Sequence, residues 1–180
     1  MQNQQYTLSE LVKLFSVKRK VFVSYHHRCD QVWYDRFSSV FASGYELLYD
    51  NSLQRKVDSE STSYVDRHIR EENIRGTSIT IVLCGADTWK RKYVDWEIYA
   101  TLHHKHALLG IQLPTTPTLA NGDIIVPERF ATNWRTGYAY LVGWTEDPLQ
   151  LKSAIEIAVM KSQLKAAINN SMHKMQRNLA

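Results

Sequence analysis

Several features that would point to a particular class of protein are missing from this chain of 180 residues. Its two cysteines, Cys29 and Cys84, lie far apart and form no CxxC pair. The sequence therefore predicts neither a disulfide framework nor a zinc site, and we expect a reducing compartment. No apolar run approaches the roughly 20 residues that span a bilayer, and residues 1–10 lack the basic start and apolar stretch of a signal peptide. We expect a cytoplasmic protein with no membrane partner.

Charge of one sign and phosphate-binding glycine motifs are also scarce. The net charge is +4 and no run holds five or more like charges, so a nucleic-acid partner is not predicted. The GxGxxG fingerprint, the GxxxxGK[ST] loop and the GxSxG elbow are all absent. His103, His104 and His106 fit no familiar zinc spacing, so no metal is predicted. Hydrophobic residues make up 44% and charged residues 22%, as in an ordinary globular domain.

Strand and helix patterns alternate along most of the chain. Runs typical of strands occur at 20–25, 45–50, 77–85, 107–114 and 138–144. Apolar residues at helical spacing predict helices at 30–43, 61–74, 91–104 and 147–168. This alternation predicts an α/β fold, with a mostly parallel sheet of about five strands and helices on both faces. The run TSITIVLCG at 77–85 is apolar on both faces, which is typical of a central strand.

The rest of the chain divides into less regular segments. Residues 1–19 form a predicted N-terminal appendage with a short helix, residues 20–168 the domain, and residues 169–180 a polar tail that we expect to fray. Residues 51–61 and 115–136 lack a clear period, and we expect them to be irregular. Asp147 and Pro148 are a favourable start for the last helix.

Ligands of parallel sheets bind beyond the carboxyl ends of the strands, and polar residues follow the first strand here. The segment SYHHRCD supplies Ser24, Tyr25, His26 and Asp30. Asp30 is more simply interpreted as the N-cap of the helix at 30–43. His26 is more simply an exposed loop residue than a ligand.

After the third strand, the segment GADTWKRKYVDWE leads through Trp89 into a helix that carries Tyr93 and Glu97 on one face. Val94, Ile98 and Leu102 form an adjacent apolar stripe that should face the sheet, so Glu97 is predicted at the border of the buried stripe. From the residues alone two interpretations remain open. Glu97 is either a solvated or ion-paired charge, which is commoner, or a carboxylate held in a cleft.

Three segments, KVFVSYHHRCD, TSITIVLCGADTWKRKYVDWEI and LLGIQLP, together resemble a TIR domain. More narrowly, they are similar to the TIR-like bacterial proteins of the Thoeris anti-phage defence type. The resemblance covers about residues 20–113; each motif alone is weak, but three in the family's order are fairly specific. It implies a flavodoxin-like three-layer α/β fold.

The resemblance also implies a site. The helix glutamate that is catalytic in NAD-cleaving members falls on Glu97. Ser24, Tyr25 and His26 would border the nicotinamide ribose, and Lys90 or Arg91 would meet the pyrophosphate. The substrate-binding set that we predict is Ser24, Tyr25, His26, Asp50, Trp89 and Tyr93. Many TIR domains have tryptophan four residues before the glutamate, where this chain has Tyr93.

The implied activity is cleavage of the nicotinamide–ribose bond, with NAD as substrate and no separate cofactor. The product would be an ADP-ribose-derived signal nucleotide, cyclic or conjugated, that activates a separate effector protein. Self-association through the TIR domain and a phage-derived trigger are the other partners that the resemblance implies.

Two other functions stay open from the sequence. Many TIR domains are non-enzymatic adaptors that act by protein association, and they commonly lack the helix glutamate. A flavodoxin-like receiver would use Asp50 as phosphoacceptor beside an acidic cluster that binds magnesium. The presence of Glu97, with Ser24 and His26 at the same end of the sheet, favours the enzyme over the adaptor. Of the acids that a receiver needs, Asp30 and Asp50 would supply two.

Overall fold

The computed structural model describes residues 19–41 and 72–180, and the backbone of residues 46–48. The strands are β1 (Lys20–Ser24), β2 (Glu46–Leu48), β3 (Ile79–Cys84), β4 (Ala107–Gln112) and β5 (Tyr140–Gly143). The longer helices are α1 (His27–Phe41), α2 (Lys92–His103), α3 (Glu128–Arg135) and α4 (Pro148–Lys161). Short 3-10 helices lie at Thr88–Lys90 and Lys165–Ala167, and residues 72–75 are also helical.

The five strands form one parallel sheet in the order β2-β1-β3-β4-β5. This is the flavodoxin-like order, so the predicted α/β sandwich is confirmed. From β1 the chain moves outward to β2 and then returns to place β3 on the other side of β1. Loops that leave β1 and β3 therefore diverge and leave a crevice at their carboxyl ends, where such sheets bind ligands.

The central position of β3 is also confirmed. All six of its residues are buried, because helices cover both faces of the sheet there. Its register with β1 pairs Ser24 with Val82, so both strands end within about two residues of each other. The last residues of β1 and β3 therefore lie side by side at the crevice.

Side chains of the sheet alternate between two apolar layers. On one side, residues such as Val23, Ile81 and Leu109 pack against α1 and α4. On the other side, Val82 and Leu108 pack against α2 and α3. Alternate residues of β1 and β3 therefore face opposite layers.

Helix α3 corrects the expectation that residues 115–136 are irregular. It is only eight residues long, and only two of its four buried residues, Phe130 and Ala131, are apolar, while Arg129 and Asn133 are polar. Its anchor is Phe130, which packs directly on Gly110 of β4. A Cβ atom at Gly110 would lie 2.4 Å from Cζ of Phe130, so the glycine allows the helix to approach the sheet.

The end of the chain also differs from the prediction. Helix α4 begins as expected, with the Asp147 side chain accepting a hydrogen bond from the amide of Leu149 at 2.8 Å, but it ends at Lys161. The expectation that residues 169–180 fray is wrong. Backbone and side-chain groups of this segment bond to α2 and α3, for example the carbonyl of Met175 to Nε1 of Trp96 at 2.8 Å.

Several predictions fall outside the described residues: the appendage up to residue 18, the loop at 51–61, Asp50, and most of the helix at 61–74. None of the helices in the described part of the chain is long and apolar enough to cross a membrane.

Candidate functional site

The carboxylate of Glu97 lies inside the protein and not at its surface. The residue is 4% exposed, and its Oε2 accepts a hydrogen bond of 2.6 Å from the hydroxyl of Ser24. A hydroxyl-to-carboxylate bond of this length is a strong, charge-assisted one. Of the two interpretations left open by the sequence, the structure therefore supports the held carboxylate, at the crevice between β1 and β3.

Helix α2 places Glu97 there through apolar and polar contacts with the sheet. Val94, Ile98 and Leu102 are buried against the sheet, as predicted. The hydroxyl of Thr101 donates to the carbonyl of Glu97 at 2.7 Å and also lies 2.7 Å from the hydroxyl of Thr80 on β3. This buried pair of hydroxyls fixes the turn that carries Glu97 to the central strand.

Asp30 is a second buried carboxylate in the crevice. Helix α1 begins at His27, so Asp30 lies within the first turn and the N-cap prediction is wrong. Its Oδ2 accepts from the hydroxyl of Thr88 at 2.6 Å, and Thr88 in turn accepts from the amide of Gly85 at 2.8 Å. Burial raises the pKa of Asp30, although the hydrogen bond from Thr88 opposes that shift.

The contact between Asp30 and Gly85 is close enough to require glycine. A Cβ atom at Gly85 would lie 1.9 Å from Oδ1 of Asp30. The start of α1 and the end of β3 are thus joined across the crevice by a carboxylate, a hydroxyl and an amide. These contacts fix the spacing of the two loops that flank Glu97.

The loop after β3 forms one rim of the crevice. Nε1 of Trp89 donates to the carbonyl of Ala86 at 3.1 Å, which closes the loop on itself. Lys90 forms an ion pair with Asp87 at 3.1 Å and lies over the Trp89 ring at 5.3 Å. The hydrogen bond from Lys90 lowers the pKa of Asp87, so part of the charge of Lys90 is already matched within the loop.

Tyr93 lies one turn before Glu97 on α2 and is partly exposed. Its ring meets that of Trp96 edge-on, with centroids 5.6 Å apart, and the ammonium of Lys92 lies over it at 5.1 Å. Tyr93 therefore belongs to an aromatic and cationic cluster beside the start of α2.

His26 follows β1 and is nearly buried, at 9% exposure. Its carbonyl accepts from the amide of Asp30 at 2.8 Å and so joins the first turn of α1. The expectation of an exposed loop histidine is wrong. His26 and Ser24 both lie at the carboxyl end of β1, on the same edge of the sheet as Glu97.

Tyr25, also in the predicted substrate-binding set, lies in the apolar layer on the other side of the sheet from α2. It is 2% exposed and packs in the layer beneath α1. Its ring stacks on Tyr34 with centroids 4.6 Å apart, and its hydroxyl donates to Gln31 at 2.9 Å. Ser24, the residue before it, instead lies against Glu97 of α2, so the two neighbours contact helices on different sides of the sheet.

Neither cysteine is activated as a nucleophile. Burial and the nearby carboxylates of Asp87 and Asp30 raise the pKa of Cys29, and burial raises that of Cys84 far more. Both thiols are therefore held protonated at neutral pH. Within the described ranges, no group of three or more histidine, cysteine or acidic residues is arranged to hold a metal ion.

Sequence reasoning missed three residues that build the site: Thr88, Thr101 and Gly85. Each had a weak signal, because each lies beside a strand end or on the face of α2 that carries Glu97. Thr88 is hydrogen-bonded to Asp30, 58 residues earlier, and Thr101 to Thr80, 21 residues earlier. Gly85 packs closely against Asp30, 55 residues earlier. Such pairings become evident only once the strand order is known.

The flavodoxin-like sheet and the helix glutamate buried against the end of β1 agree with the predicted TIR-like class. The family model described as "Thoeris protein ThsB, TIR-like domain" matches residues 22–118, just over half of the chain. The chain belongs to this family, which places it among the TIR proteins of anti-phage defence. The matched range contains Ser24, Asp30 and Glu97.

One solved structure with a similar fold is that of the TIR domains in the activated Roq1 resistosome directly recognizing the pathogen effector XopQ. The similarity has a TM-score of 0.41 and 8% sequence identity, and it covers 82% of this chain and 85% of that chain. No curated protein matches the sequence.

Proposed function

We propose that this protein is an NAD-cleaving TIR enzyme of anti-phage defence, with Glu97 as its catalytic residue. The observation that carries the proposal is the buried carboxylate of Glu97, held by Ser24 at 2.6 Å at the edge of the sheet where such folds bind ligands. A solvated surface glutamate would offer no such preorganised charge. Family membership supplies independent support, since the matched range contains both residues.

The chemistry that suits this arrangement is cleavage of the bond between nicotinamide and ribose. The ribose carbon becomes oxocarbenium-like as the bond breaks, as in glycoside hydrolysis. A fixed carboxylate in a water-poor site stabilises such a developing positive charge more than water does. Nicotinamide leaves as a neutral molecule, so no second acid is needed. One glutamate, oriented by the hydroxyl of Ser24, is therefore sufficient.

The other predicted residues take roles according to where they lie. His26, Trp89 and Tyr93 are at the same edge of the sheet and are proposed to border the substrate. Tyr25 supports α1 and is not proposed to touch it. The contact of Asp50 with substrate stays a prediction.

For the pyrophosphate, Arg91 is a better candidate than Lys90. The ammonium of Lys90 is already paired with Asp87 at 3.1 Å. Arg91 is the N-cap residue of α2, and its Nε is buried with no hydrogen-bond partner among the described residues. Its guanidinium also matches phosphate oxygens in a fork geometry.

The released ADP-ribosyl group has three possible acceptors. Water gives ADP-ribose, a nucleophile in the same molecule gives a cyclic product, and another small molecule gives a conjugate. We propose that the product is a signal nucleotide read by a separate effector protein. Self-association through the TIR domain and a phage-derived trigger would control the reaction, and NAD is a substrate, with no further cofactor.

The test is a product assay by chromatography and mass spectrometry. Purified wild type is incubated with NAD at high protein concentration, beside Glu97→Gln and a matched control, Glu128→Gln. Glu128 is also a helix glutamate, but it is 64% exposed and pairs only loosely with Arg135 at 3.4 Å. The same three proteins are then compared in extracts of phage-challenged cells.

We expect nicotinamide release from wild type and from Glu128→Gln but not from Glu97→Gln, with the product mass identifying the acceptor. Release that appears only in challenged cells would mean that the enzyme needs its trigger. If NAD is not consumed in either setting and Glu97→Gln still protects cells, the enzyme proposal fails and the non-enzymatic adaptor takes its place.

A further inference from the structure

The last residues of the chain form an ordered strap over helix α2. We call residues 169–179 the C-terminal strap. They have little regular secondary structure, yet they lie along the side of α2 that faces away from the sheet. Both the strap and α3 lie beyond residues 22–118, the part of the chain that the family model matches.

Arg129 of α3 joins the strap to α2. It is fully buried, and its guanidinium makes five hydrogen bonds, which equals its number of N–H donors. Nε and Nη2 donate to the two carboxylate oxygens of Asp95 at 2.8 and 3.2 Å. Nη1 donates to Oδ1 of Asn170 at 2.9 Å and to the carbonyl of Met172 at 3.0 Å, and Nη2 also donates to the carbonyl of His173 at 3.0 Å.

The strap also bonds directly to the two residues that precede Glu97. The amide of Met175 donates to Oδ2 of Asp95 at 2.9 Å, and its carbonyl accepts from Nε1 of Trp96 at 2.8 Å. On the next turn, Nδ2 of Asn170 donates to the carbonyl of Tyr99 at 3.1 Å. Helix α2 is thus held between the sheet on one side and the strap on the other, with Glu97 in the held turn.

The strap reaches the start of α2 as well. The N-cap residue Arg91 makes no side-chain capping bond within the described residues. The amide of Lys92 donates instead to Oδ1 of Asn178 at 3.0 Å, and the amide of Leu179 donates to the carbonyl of Lys90 at 3.0 Å. An oxygen of the strap therefore supplies the cap that the local sequence lacks.

We propose that Arg129 is a positioning residue for Glu97, acting through Asp95 and the C-terminal strap. This inference rests on the proposed function. The bond between Ser24 and Glu97 has a length of 2.6 Å, so it tolerates little movement of α2. Apolar contacts with the sheet resist separation of α2 but resist sliding less, since they are not directional. The two bonds from Arg129 to Asp95 are directional and, together with the Thr101–Thr80 contact on the sheet side, oppose sliding of the helix along the sheet. Its three bonds to the strap hold the guanidinium in place.

The test uses full-length variants of the strap contacts. Arg129→Lys keeps a positive charge beside Asp95, but a single ammonium cannot serve both the carboxylate and the strap carbonyls. Asn170→Ala leaves the Arg129–Asp95 pair in place but removes one strap partner of Arg129 and the bond from the strap to the carbonyl of Tyr99. It provides a milder variant if Arg129→Lys does not fold. Gln176→Ala is the matched control, because its side chain donates within the strap to the carbonyl of Lys174 at 3.0 Å.

Two experiments are run on each variant: steady-state kinetics, which give kcat and KM for NAD, and hydrogen–deuterium exchange of peptides covering residues 92–103 and strands β1, β3 and β4. We expect kcat of Arg129→Lys to fall about 10- to 100-fold, with a smaller fall for Asn170→Ala, because a small misplacement of a catalytic group costs rate more than binding. KM should stay close to that of wild type. Exchange in 92–103 should be faster, with exchange in β1, β3 and β4 unchanged.

Wild-type kcat and wild-type exchange in Arg129→Lys and Asn170→Ala would overturn the proposal. A parallel loss of protection throughout the sheet would also overturn it, since Arg129 would then act on the whole fold and not on α2. If wild type does not cleave NAD at all, the proposed function fails by itself. The claim that Arg129 positions α2 is then tested by exchange alone. Unchanged protection of residues 92–103 in Arg129→Lys would refute that claim.

Discussion

Replacing Ser24 by alanine removes the hydroxyl that holds the carboxylate of Glu97 and changes little else. Ser24 is 1% exposed at the end of β1, and alanine fits any backbone that serine occupies. The variant therefore deletes the 2.6 Å bond to Oε2 without creating a clash. The variant keeps the charge of Glu97 and removes the group that orients it, so it tests the orientation alone.

The size of the effect follows from the kind of bond that is lost. A hydrogen bond to a charged group contributes about 1.5–3 kcal/mol. If that contribution serves to hold the carboxylate against the ribose in the transition state, kcat/KM falls by about 10- to 150-fold, since each 1.4 kcal/mol corresponds to a factor of ten. The free energy of unfolding should also fall, by about 1–3 kcal/mol, because a buried carboxylate loses a donor.

The assay compares nicotinamide release and denaturant unfolding for wild type, Ser24→Ala and Ser39→Ala. Ser39 is an exposed serine of α1 whose hydroxyl donates to the carbonyl of Arg36 at 2.9 Å, so its removal should change neither quantity appreciably. Wild-type kcat/KM in Ser24→Ala, together with an inactive Glu97→Gln, would refute the reasoning. Glu97 would then act without the orientation that Ser24 supplies.

Two further predictions concern Asp30 and Tyr25. Burial raises the pKa of Asp30 above its ordinary value of 3.8, so above that pH the folded state binds more protons there than the unfolded state, and Asp30 weakens the fold as pH rises. We expect the free energy of unfolding of Asp30→Asn relative to wild type to be higher at about pH 7 than at about pH 4; an equal difference at both would contradict this. Tyr25→Phe should destabilise the protein by about 1 kcal/mol through loss of the bond to Gln31 but leave KM for NAD unchanged, and a several-fold rise in KM would return Tyr25 to the substrate site.

Much of the fold could be predicted because its signals are local. Six consecutive buried residues in β3 favour a nearly continuous apolar run, and that run, interrupted only by Thr80, is visible in the sequence. The start of α4 is set by Asp147 and Pro148, which act on their own turn. The strand order is not local, and its prediction rested on resemblance to a family.

The misses have a common physical cause, since they depend on partners far along the chain. Helix α3 was missed because two of its four buried residues, Arg129 and Asn133, are polar. They are buried through hydrogen bonds to residues 169–173. The prediction that the tail frays fails for the same reason, because its ordering depends on these hydrogen bonds to distant residues. Its side chains are mostly polar, but its partners are buried polar groups that composition does not reveal.

The candidate site was predicted in part. Glu97 was singled out by its place beside an apolar stripe and by resemblance, but its burial depends on Ser24, 73 residues earlier. The packing of Tyr25 against Tyr34 in the layer of α1 was not predicted, because Tyr34 lies on a helix whose buried face is known only from the structure. The start of α1 was placed at Asp30 since aspartate is a common N-cap; the helix begins three residues earlier, and Asp30 is used for a tertiary contact with Thr88.

The most direct test of the central claim is the rate of nicotinamide release from NAD by Glu97→Gln against wild type, under the condition in which wild type is active. Glutamine keeps the size of the side chain and its ability to accept from Ser24 but removes the negative charge. The account predicts a fall of at least about 100-fold, the scale of losing one preorganised electrostatic group in an active site. A rate for Glu97→Gln close to that of wild type would contradict it, since the charge held at the crevice would then play no part in the reaction.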